Sequence, residues 1–342
     1  MFSKACVNCC KVVGGSGQFL SQPLQPEQMT ISLQSVLTNQ IDVGGELPLR
    51  TANVSSVTLR SPFRFPGGKT WLIPHIRCWL SSRSAMLAEF CEPFAGGAIV
   101  ALTVAAEGLA ENVVMSEIDP NIAAVWHTVL GEHAGWLAKK ISRFRLTTQS
   151  LKRELASIPR SAHGIAFRTI LRNRTFHGGI IAETSRPLRR GENGKGIKSR
   201  WYPETLKDRI LSIAEMRSHI SFIQGDGLEL IRRHRAHTNV AFFLDPPYMA
   251  SKKSAGKRLY SRSDVDHEEL FEITSQLMGD FLMTYEDSPE VRGLASKYGF
   301  EVRMVAMRGT HHVRINELLI GRDLAWVRHV DRAAKSLRSL GG

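Results

Sequence analysis

Two apolar segments that each end in a loop with acidic residues constrain the fold most strongly. The segment MLAEFCEPFAGG, residues 86–97, is an apolar run that stops at a proline and two glycines, and the helical pattern AIVALTVAAEG follows it. The segment NVVMSEID, residues 112–119, precedes the helical pattern PNIAAVWHTVL, whose Pro120 suits a first helical turn. Strand, glycine loop, helix and a strand ending in an acid are typical of a doubly wound, nucleotide-binding α/β fold.

The same alternation resumes after residue 217. Further strands are predicted in HISFIQGDGLELI, NVAFFLDPPY, GDFLMTYED, FEVRMVAM and NELLIGR, and a helix capped by Asp266 is predicted in DHEELFEITSQLM. The strand in NVAFFL stops at Pro246 and Pro247, because neither proline can donate to a sheet ladder. Ligands of open α/β sheets bind beyond the carboxyl ends of the strands, so we expect the residues there to form one crevice.

The stretch SPFRFPGGKTWL, residues 61–72, ends like a phosphate-binding P-loop but lacks its spacing. Such a loop needs a glycine five residues before Gly68, and that position is Phe63. The loop after the first strand also lacks G-x-G-x-x-G, which disfavours a nicotinamide dinucleotide. Gly67 and Gly68 therefore predict a turn or a close backbone approach, with Lys69 as a point charge suited to a carboxylate.

The charge of the chain is unevenly distributed. The chain contains 45 Lys or Arg and 32 Asp or Glu, a net charge of +13, and residues 139–217 alone hold 19 basic and six acidic residues, the same excess. A localised basic block is typical of a protein with a polyanionic partner; the alternative is a solvated basic face with no partner. Residues 173–206 of this block are dense in Gly and Arg and too long for an ordinary connection, which indicates a functional loop.

The tetrapeptide Asp245-Pro246-Pro247-Tyr248 carries the most specific chemistry. On an exocyclic amine of a base, Asp245 can accept one N–H and the Pro246 carbonyl the other, which directs the nitrogen lone pair at an electrophile. Tyr248 can stack on the base, which is worth about 1–3 kcal/mol. The alternative is a strand end stopped by prolines, with Asp245 capping the turn.

Four segments in this order, FRFPGGK, EPFAGG, EIDPN and DPPY, resemble the motifs of S-adenosylmethionine-dependent DNA adenine N6-methyltransferases of the Dam type. The resemblance runs from about residue 61 to residue 322. It implies a Rossmann-like methyltransferase sheet with a helical and loop-rich target-recognition insert, to which NRTFHGG and GIKSRWYPETL are similar. The implied reaction is methylation of adenine N6 in double-stranded DNA, by base flipping and direct methyl transfer.

The resemblance also implies roles for single residues. It places Asp119 on the ribose hydroxyls, Asp226 near the adenine ring of the cofactor, and Lys69 at the cofactor's polar end, whereas Glu117 is expected to be a solvated strand-end acid. The implied catalytic residues are Asp245, Pro246, Pro247 and Tyr248. The implied S-adenosylmethionine-binding residues are Phe65, Gly67, Gly68, Lys69, Glu92, Phe94, Gly96, Asp119, Asp226 and Asp245. The candidates for DNA contacts are Arg174, Arg186, Arg189, Arg190, Lys195, Lys198 and Arg200. No metal ligand is expected.

The sequence departs from the family pattern at three places. Ala98 stands where the family has glycine, and Tyr285 stands where it commonly has asparagine. Gly178-Gly179 replaces an Asn-Gly of the recognition region. The recognition sequence is therefore not transferable. Two other functions stay open: methylation of an RNA adenine or another planar amine, such as a glutamine side chain, and nucleic-acid binding by a catalytically degenerate chain.

The predicted division of the chain has four parts. They are an N-terminal extension (1–60), a catalytic domain (61–135 and 218–325), a basic recognition insert (136–217) and a basic tail (326–342). Cys6, Cys9 and Cys10 resemble half a zinc site, but free thiols are the favoured interpretation, and these suit a reducing cytoplasm. No run of about 18 apolar residues predicts a membrane span. We expect a cytoplasmic monomer or weak dimer with double-stranded DNA as its partner.

Overall fold

The computed structural model describes residues 57–65, 67–179, 181, 185–191, 194–247, 265–308 and 314–327. Most of the predicted N-terminal extension, with its cysteines, and most of the predicted basic tail lie outside the described residues. Tyr248 lies outside them as well.

Seven strands form one sheet in the order β3-β2-β1-β4-β5-β7-β6. Neighbouring strands from β3 to β5 are parallel, whereas β7 runs antiparallel to both β5 and β6. This topology confirms the predicted Rossmann-like α/β class. The strands are β1 (Leu87–Glu92), β2 (Ala110–Glu117), β3 (Ile220–Gln224), β4 (Val240–Leu244), β5 (Asp280–Glu286), β6 (Glu301–Arg308) and β7 (Arg314–Gly321).

Helices connect the strands, and a 3-10 turn at Lys69–Leu72 leads into the first of them. Pro120 and Asp266 begin or cap their helices as predicted. Residues 136–155 belong to two helices, because Thr147 accepts a hydrogen bond from the amide of Ser150 and starts the second one. The described helices are α1 (Ile73–Ser81), α2 (Ile99–Glu107), α3 (Pro120–Leu130), α4 (Ala134–Arg143), α5 (Thr148–Ala156), α6 (Ala162–Thr175), α7 (Pro203–Glu215), α8 (Gly227–His234), α9 (His267–Ser275) and α10 (Pro289–Lys297).

The central strands are covered on both faces. Every residue of β4 is buried, as expected for a parallel strand between two layers of helices. Side chains alternate between two hydrophobic clusters, with Phe90 and Phe243 in one and Cys91 and Phe242 in the other. The sheet is therefore a rigid platform whose strand ends alone are open to ligands.

Helices α4 to α7 of the basic segment share the first of these clusters with the sheet. Leu137 of α4, Phe167 of α6 and Leu206 of α7 belong to the same cluster as Phe90, and α6 packs against α3 while α4 packs against α7. The segment is thus anchored on the sheet, and its boundaries at 136 and 217 stay a prediction.

The strand order reverses between β1 and β4. From β1 the chain proceeds to β2 and β3 on one side, and from β4 to β5 on the other. Loops at the carboxyl ends of two such strands leave in opposite directions and open a crevice between them. Glu92 ends β1 and Asp245 follows β4, so the topology directs both residues to this crevice.

The chain after α6 is attached to the segment that precedes the Lys69 turn. The Asn173 side chain accepts a hydrogen bond from the amide of Arg64 at 2.8 Å and donates to the carbonyls of Arg64 at 3.1 Å and Gly179 at 2.7 Å. Gly179 has a φ of +73°, and a Cβ there would lie 1.9 Å from the carbonyl oxygen of Arg64. Glycine is therefore required at this contact for both conformation and space.

Gly179→Ala should destabilise the fold more than a glycine replacement that only changes backbone preference. Gly194→Ala is the matched control, since Gly194 has a φ of +71° and open space around its Cα. We expect the free energy of unfolding, measured by urea denaturation, to fall about 1–3 kcal/mol further in Gly179→Ala than in the control. Equal losses in the two variants would show that the contact with Arg64 is unimportant.

Candidate active site

Lys69 and Asp245, which are far apart in the sequence, meet at the crevice. The Lys69 Nζ lies 3.0 Å from Asp245 Oδ1 and 3.5 Å from Glu317 Oε2, and it donates to the carbonyl of Gly67 at 3.1 Å. The lysine side chain is only 4% exposed. A buried ammonium is costly unless carboxylates and hydrogen bonds compensate it, and this arrangement supplies both.

Asp245 is held from one side and open on the other. The Thr284 hydroxyl on β5 donates to Asp245 Oδ1 at 2.8 Å, beside the contact with Lys69. Among the described residues, the polar contacts of this carboxylate all involve Oδ1. The side chain is 24% exposed, so part of this carboxylate is open to a ligand.

The other residues of the tetrapeptide follow directly. Pro246 is buried and Pro247 is half-buried at the end of β4. Tyr248 lies outside the described residues, so its role as a stacking platform stays a prediction.

Glu92 lies beneath the crevice rather than in it. Its carboxyl group is buried, and Oε2 accepts a hydrogen bond from the amide of Ala101 in α2 at 2.6 Å. Burial raises the pKa of Glu92 well above its ordinary value, and the charge of Asp245 adds to this effect, whereas the Ala101 amide and Lys69 oppose it. Glu92 therefore anchors the first turn of α2.

The loop between β1 and α2 contains a strained residue. Ala98 has a φ of 49° and a ψ of 34°, and it is the one non-glycine residue with positive φ in the described part of the chain. The left-handed conformation costs a residue with a Cβ roughly 1–2 kcal/mol. Ala98, which replaces the glycine of the family pattern, thus adopts a left-handed conformation that glycine would adopt without this cost in stability.

Glycines of this loop leave room for a ligand. Gly96 has a φ of +45°, and a Cβ there would contact nothing within 4 Å. Gly67 in the neighbouring turn has a φ of +75° and the same open space. Gly97 is covered by the ring of Phe65, which stacks on Phe63 with ring centroids 5.1 Å apart.

Glu117 organises the ends of β1 and β2, which corrects the prediction that it is a solvated acid. Its carboxylate accepts hydrogen bonds from the amides of Gly96 at 3.0 Å and Asp119 at 2.8 Å. Burial raises the pKa of Glu117, against the effect of these amides. One side chain therefore fixes two loops at the crevice.

Asp119 and Asp226 cap the helices that follow their strands. Asp119 accepts from the amides of Asn121 and Ile122 at the start of α3, and Asp226 accepts from the amide of Leu228 at the start of α8. Phe94 packs against Gly227, where a Cβ would lie 2.7 Å from the aromatic ring. The predicted cofactor-binding residues are thus gathered around the ends of β1, β2 and β3.

The basic candidates divide into two groups. The side chains of Arg186, Arg189, Arg190, Lys195 and Lys198 are exposed, and that of Arg200 is half-buried. Arg174 differs, because its side chain is buried and its guanidinium donates to the carbonyl of Pro62 at 3.0 and 2.6 Å. We therefore correct the prediction that Arg174 contacts DNA. A buried guanidinium that is hydrogen-bonded to a backbone carbonyl does not reach phosphate, so the role of Arg174 is structural.

Three residues of the site were not singled out as site residues in the sequence. Thr284 and Glu317 hold Asp245 and Lys69, and Tyr285 is buried with its hydroxyl 3.0 Å from His267 Nδ1. Burial, followed by the charge of Asp245, raises the pKa of Tyr285. An acid within the apolar pattern NELLIG was the available signal for Glu317.

The family of the chain follows from a match over residues 65–307, more than half of its length, to the model of the D12 class N6 adenine-specific DNA methyltransferases. The chain belongs to this family. The match includes Lys69, Asp119 and Asp245, whereas Glu317 lies beyond its end. The assignment confirms the predicted resemblance and the predicted enzyme class, and it implies a methyl donor and a DNA substrate.

Among solved structures, the chain resembles "a putative RNA methyltransferase PH1948 from Pyrococcus horikoshii" at 10% identity and a TM-score of 0.33, over 86% of this chain and 97% of that one. No curated protein sequence matches the chain. None of the helices in the described ranges is long and apolar enough to cross a membrane.

Glu92→Gln should make the stability of the protein less dependent on pH. The folded-state pKa of Glu92 is raised by burial above its ordinary value of 4.5, so its contribution to stability is complete below that pH and is lost as the pH rises through the folded pKa. Glutamine keeps an acceptor for the Ala101 amide and does not ionise. We expect the difference in unfolding free energy between variant and wild type to grow with pH above about 4.5, then to level off.

Urea denaturation at a series of pH values measures this difference. Glu111→Gln is the control, because Glu111 is an exposed residue of β2. A pH-independent difference for Glu92→Gln, parallel to that of the control, would contradict the assigned protonation behaviour.

Proposed function

We propose that this protein transfers the methyl group of S-adenosylmethionine to N6 of adenine in double-stranded DNA. The observation that carries the proposal is the Asp245 carboxylate, which Lys69 and Thr284 fix through Oδ1 at the strand-order reversal. Membership of the D12 class supports the reaction type.

The residues around the crevice fit S-adenosylmethionine. Gly67 and Gly96 leave open space beside exposed or half-buried backbone, Asp119 stands at the end of β2 for a ribose diol, and Asp226 stands at the end of β3. When bound, S-adenosylmethionine supplies an electrophilic methyl group.

The chain activates the acceptor amine by hydrogen bonding. Asp245 Oδ2 accepts one N–H of the adenine amino group, and the Pro246 carbonyl accepts the other. Both bonds draw the nitrogen toward tetrahedral geometry, so that its lone pair points at the methyl group. As the new N–C bond forms, the bond between the methyl carbon and sulfur breaks, and Asp245 is placed to receive the proton that the nitrogen releases. Alignment and fixed electrostatics account for most of the rate.

DNA is held by the exposed arginines and lysines of the 186–198 loop, chiefly through phosphates. These five side chains point to solvent from a loop that Leu188 anchors through its buried side chain. The target adenine leaves the stack at a cost of a few kcal/mol and enters the crevice. Tyr248 is the proposed stacking partner. Cytoplasmic localisation and a monomeric or weakly dimeric state stay predictions.

Asp245→Ala should abolish methyl transfer and leave DNA binding intact. Loss of the oriented acceptor removes a transition-state interaction, so we expect kcat to fall at least about 100-fold, while the dissociation constant for duplex DNA changes little. The measurement is transfer of labelled methyl from S-adenosylmethionine to DNA, RNA and protein in parallel. Retained turnover in Asp245→Ala would refute the assignment.

Asp280→Asn is the matched control, because Asp280 pairs with Arg83 at the amino end of β5, away from the carboxyl ends of the strands, and should keep full activity. If the labelled methyl group is transferred preferentially to RNA or to protein, that molecule and not DNA is the substrate. A catalytically degenerate binder would show no heat on titration with S-adenosylmethionine.

The triple variant Arg189→Gln, Arg190→Gln and Lys195→Gln tests the DNA surface. The slope of log affinity against log salt concentration is negative, and each lost phosphate contact should make it less steep by about 0.9. Losing three contacts should therefore reduce its magnitude by about 2.7. Fluorescence anisotropy with duplex DNA at several salt concentrations measures the slope. The matched control is Arg233→Gln, Arg235→Gln and Lys297→Gln, three exposed residues outside the basic block, which should leave the slope unchanged. Equal slopes in all three proteins would exclude the 186–198 loop as the DNA-binding surface.

A further inference from the structure

Two histidines and a carboxylate converge at the end of the sheet opposite the crevice. Glu89 of β1 lies in register with Val240, the first residue of β4, whereas Asp245 follows the last residue of that strand. His234 is the last residue of α8, and His237 follows in the next turn. The cluster is therefore separate from the methyl-transfer site.

The ligand atoms of this cluster are close enough for one ion. His234 Nδ1 lies 2.5 Å and His237 Nδ1 lies 3.8 Å from the same oxygen, Glu89 Oε1, and one ligand atom from each of the three residues lies within 4.8 Å of the others. Zinc binds imidazole nitrogen and carboxylate oxygen at about 2.0–2.2 Å. Closing round an ion requires only small side-chain shifts, and His237 is 56% exposed and free to make them.

The local backbone directs both rings to Glu89. The amide of His237 donates to the carbonyl of His234 at 3.0 Å, which turns the chain back at the end of α8, and the two rings meet edge to face with centroids 5.1 Å apart. The carboxyl end of a helix favours positive charge. The arginines on the last turn of α8 are engaged elsewhere, Arg232 with Glu269 and Arg233 with Glu229.

Two imidazole nitrogens and one carboxylate oxygen round a divalent ion would engage all three groups of the cluster. Cys91 adds an outer contact, since its thiol lies 3.4 Å from the same Glu89 oxygen as a donor, and such contacts orient metal ligands.

We propose that Glu89, His234 and His237 form a binding site for a divalent transition-metal ion of the zinc type, with a water molecule as fourth ligand. Two imidazoles and a carboxylate suit zinc and disfavour magnesium, which prefers oxygen ligands. The ion ties β1 to the turn after α8, so its role is structural. The proposal is independent of the methyl-transfer reaction.

The experiment is a zinc titration of the full chain in competition with a chromophoric chelator. Cys6, Cys9 and Cys10 are replaced by serine in every sample, so that their thiols do not compete. We expect one saturable Zn²⁺ site whose affinity falls at least about tenfold in His237→Ala and in Glu89→Gln. Magnesium should not compete, and at one zinc concentration the Tm should rise more in the parent chain than in His237→Ala.

His219→Ala is the matched control, because His219 is an exposed histidine that contacts the backbone carbonyl of Glu111. It should bind zinc as the parent does, and methyl transfer should be unchanged in both histidine variants. Equal zinc affinity in His237→Ala and His219→Ala, or the lack of a saturable site in the parent, would overturn the proposal.

Discussion

The buried ammonium of Lys69 is the interaction on which the site depends. Its contacts with Asp245 and Glu317 join three distant parts of the chain: the turn before α1, the end of β4 and the antiparallel strand β7. A charge removed from water is retained only where such partners are fixed. The same contact that stabilises the lysine therefore also fixes one oxygen of Asp245 at the crevice.

A second set of contacts shapes the opposite wall of the crevice. Glu117 binds the amides of Gly96 and Asp119, and Glu92 binds the first turn of α2. These bonds hold Ala98 in a left-handed conformation that its Cβ disfavours. The space beside the loop glycines stays open because hydrogen bonds to two buried carboxyl groups fix the conformation of the loop.

The sequence was sufficient for most of the strands and for the meeting of Lys69 and Asp245, because local motifs mark both. Apolar runs that end at acids predicted the strands, and the order of the motifs predicted that Lys69 and Asp245 would share a crevice. Helix α10 was not predicted, since Gly293 interrupts its pattern, and α7 was partly assigned to a loop because its composition is polar. The insertion of β7 between β5 and β6, and with it the position of Glu317, depends on long-range strand pairing that no local pattern encodes. The burial of Arg174 is likewise a tertiary effect, set by the carbonyl of Pro62.

A crystal structure of the protein with a non-reactive analogue of the methyl donor and a cognate DNA duplex tests the central claim most directly. The account predicts that the amino nitrogen of an extruded adenine lies about 2.7–3.2 Å from Asp245 Oδ2, while Thr284 and Lys69 still contact Oδ1. An extruded base whose amino group is bound by other residues, with Asp245 remote from it, would contradict the account.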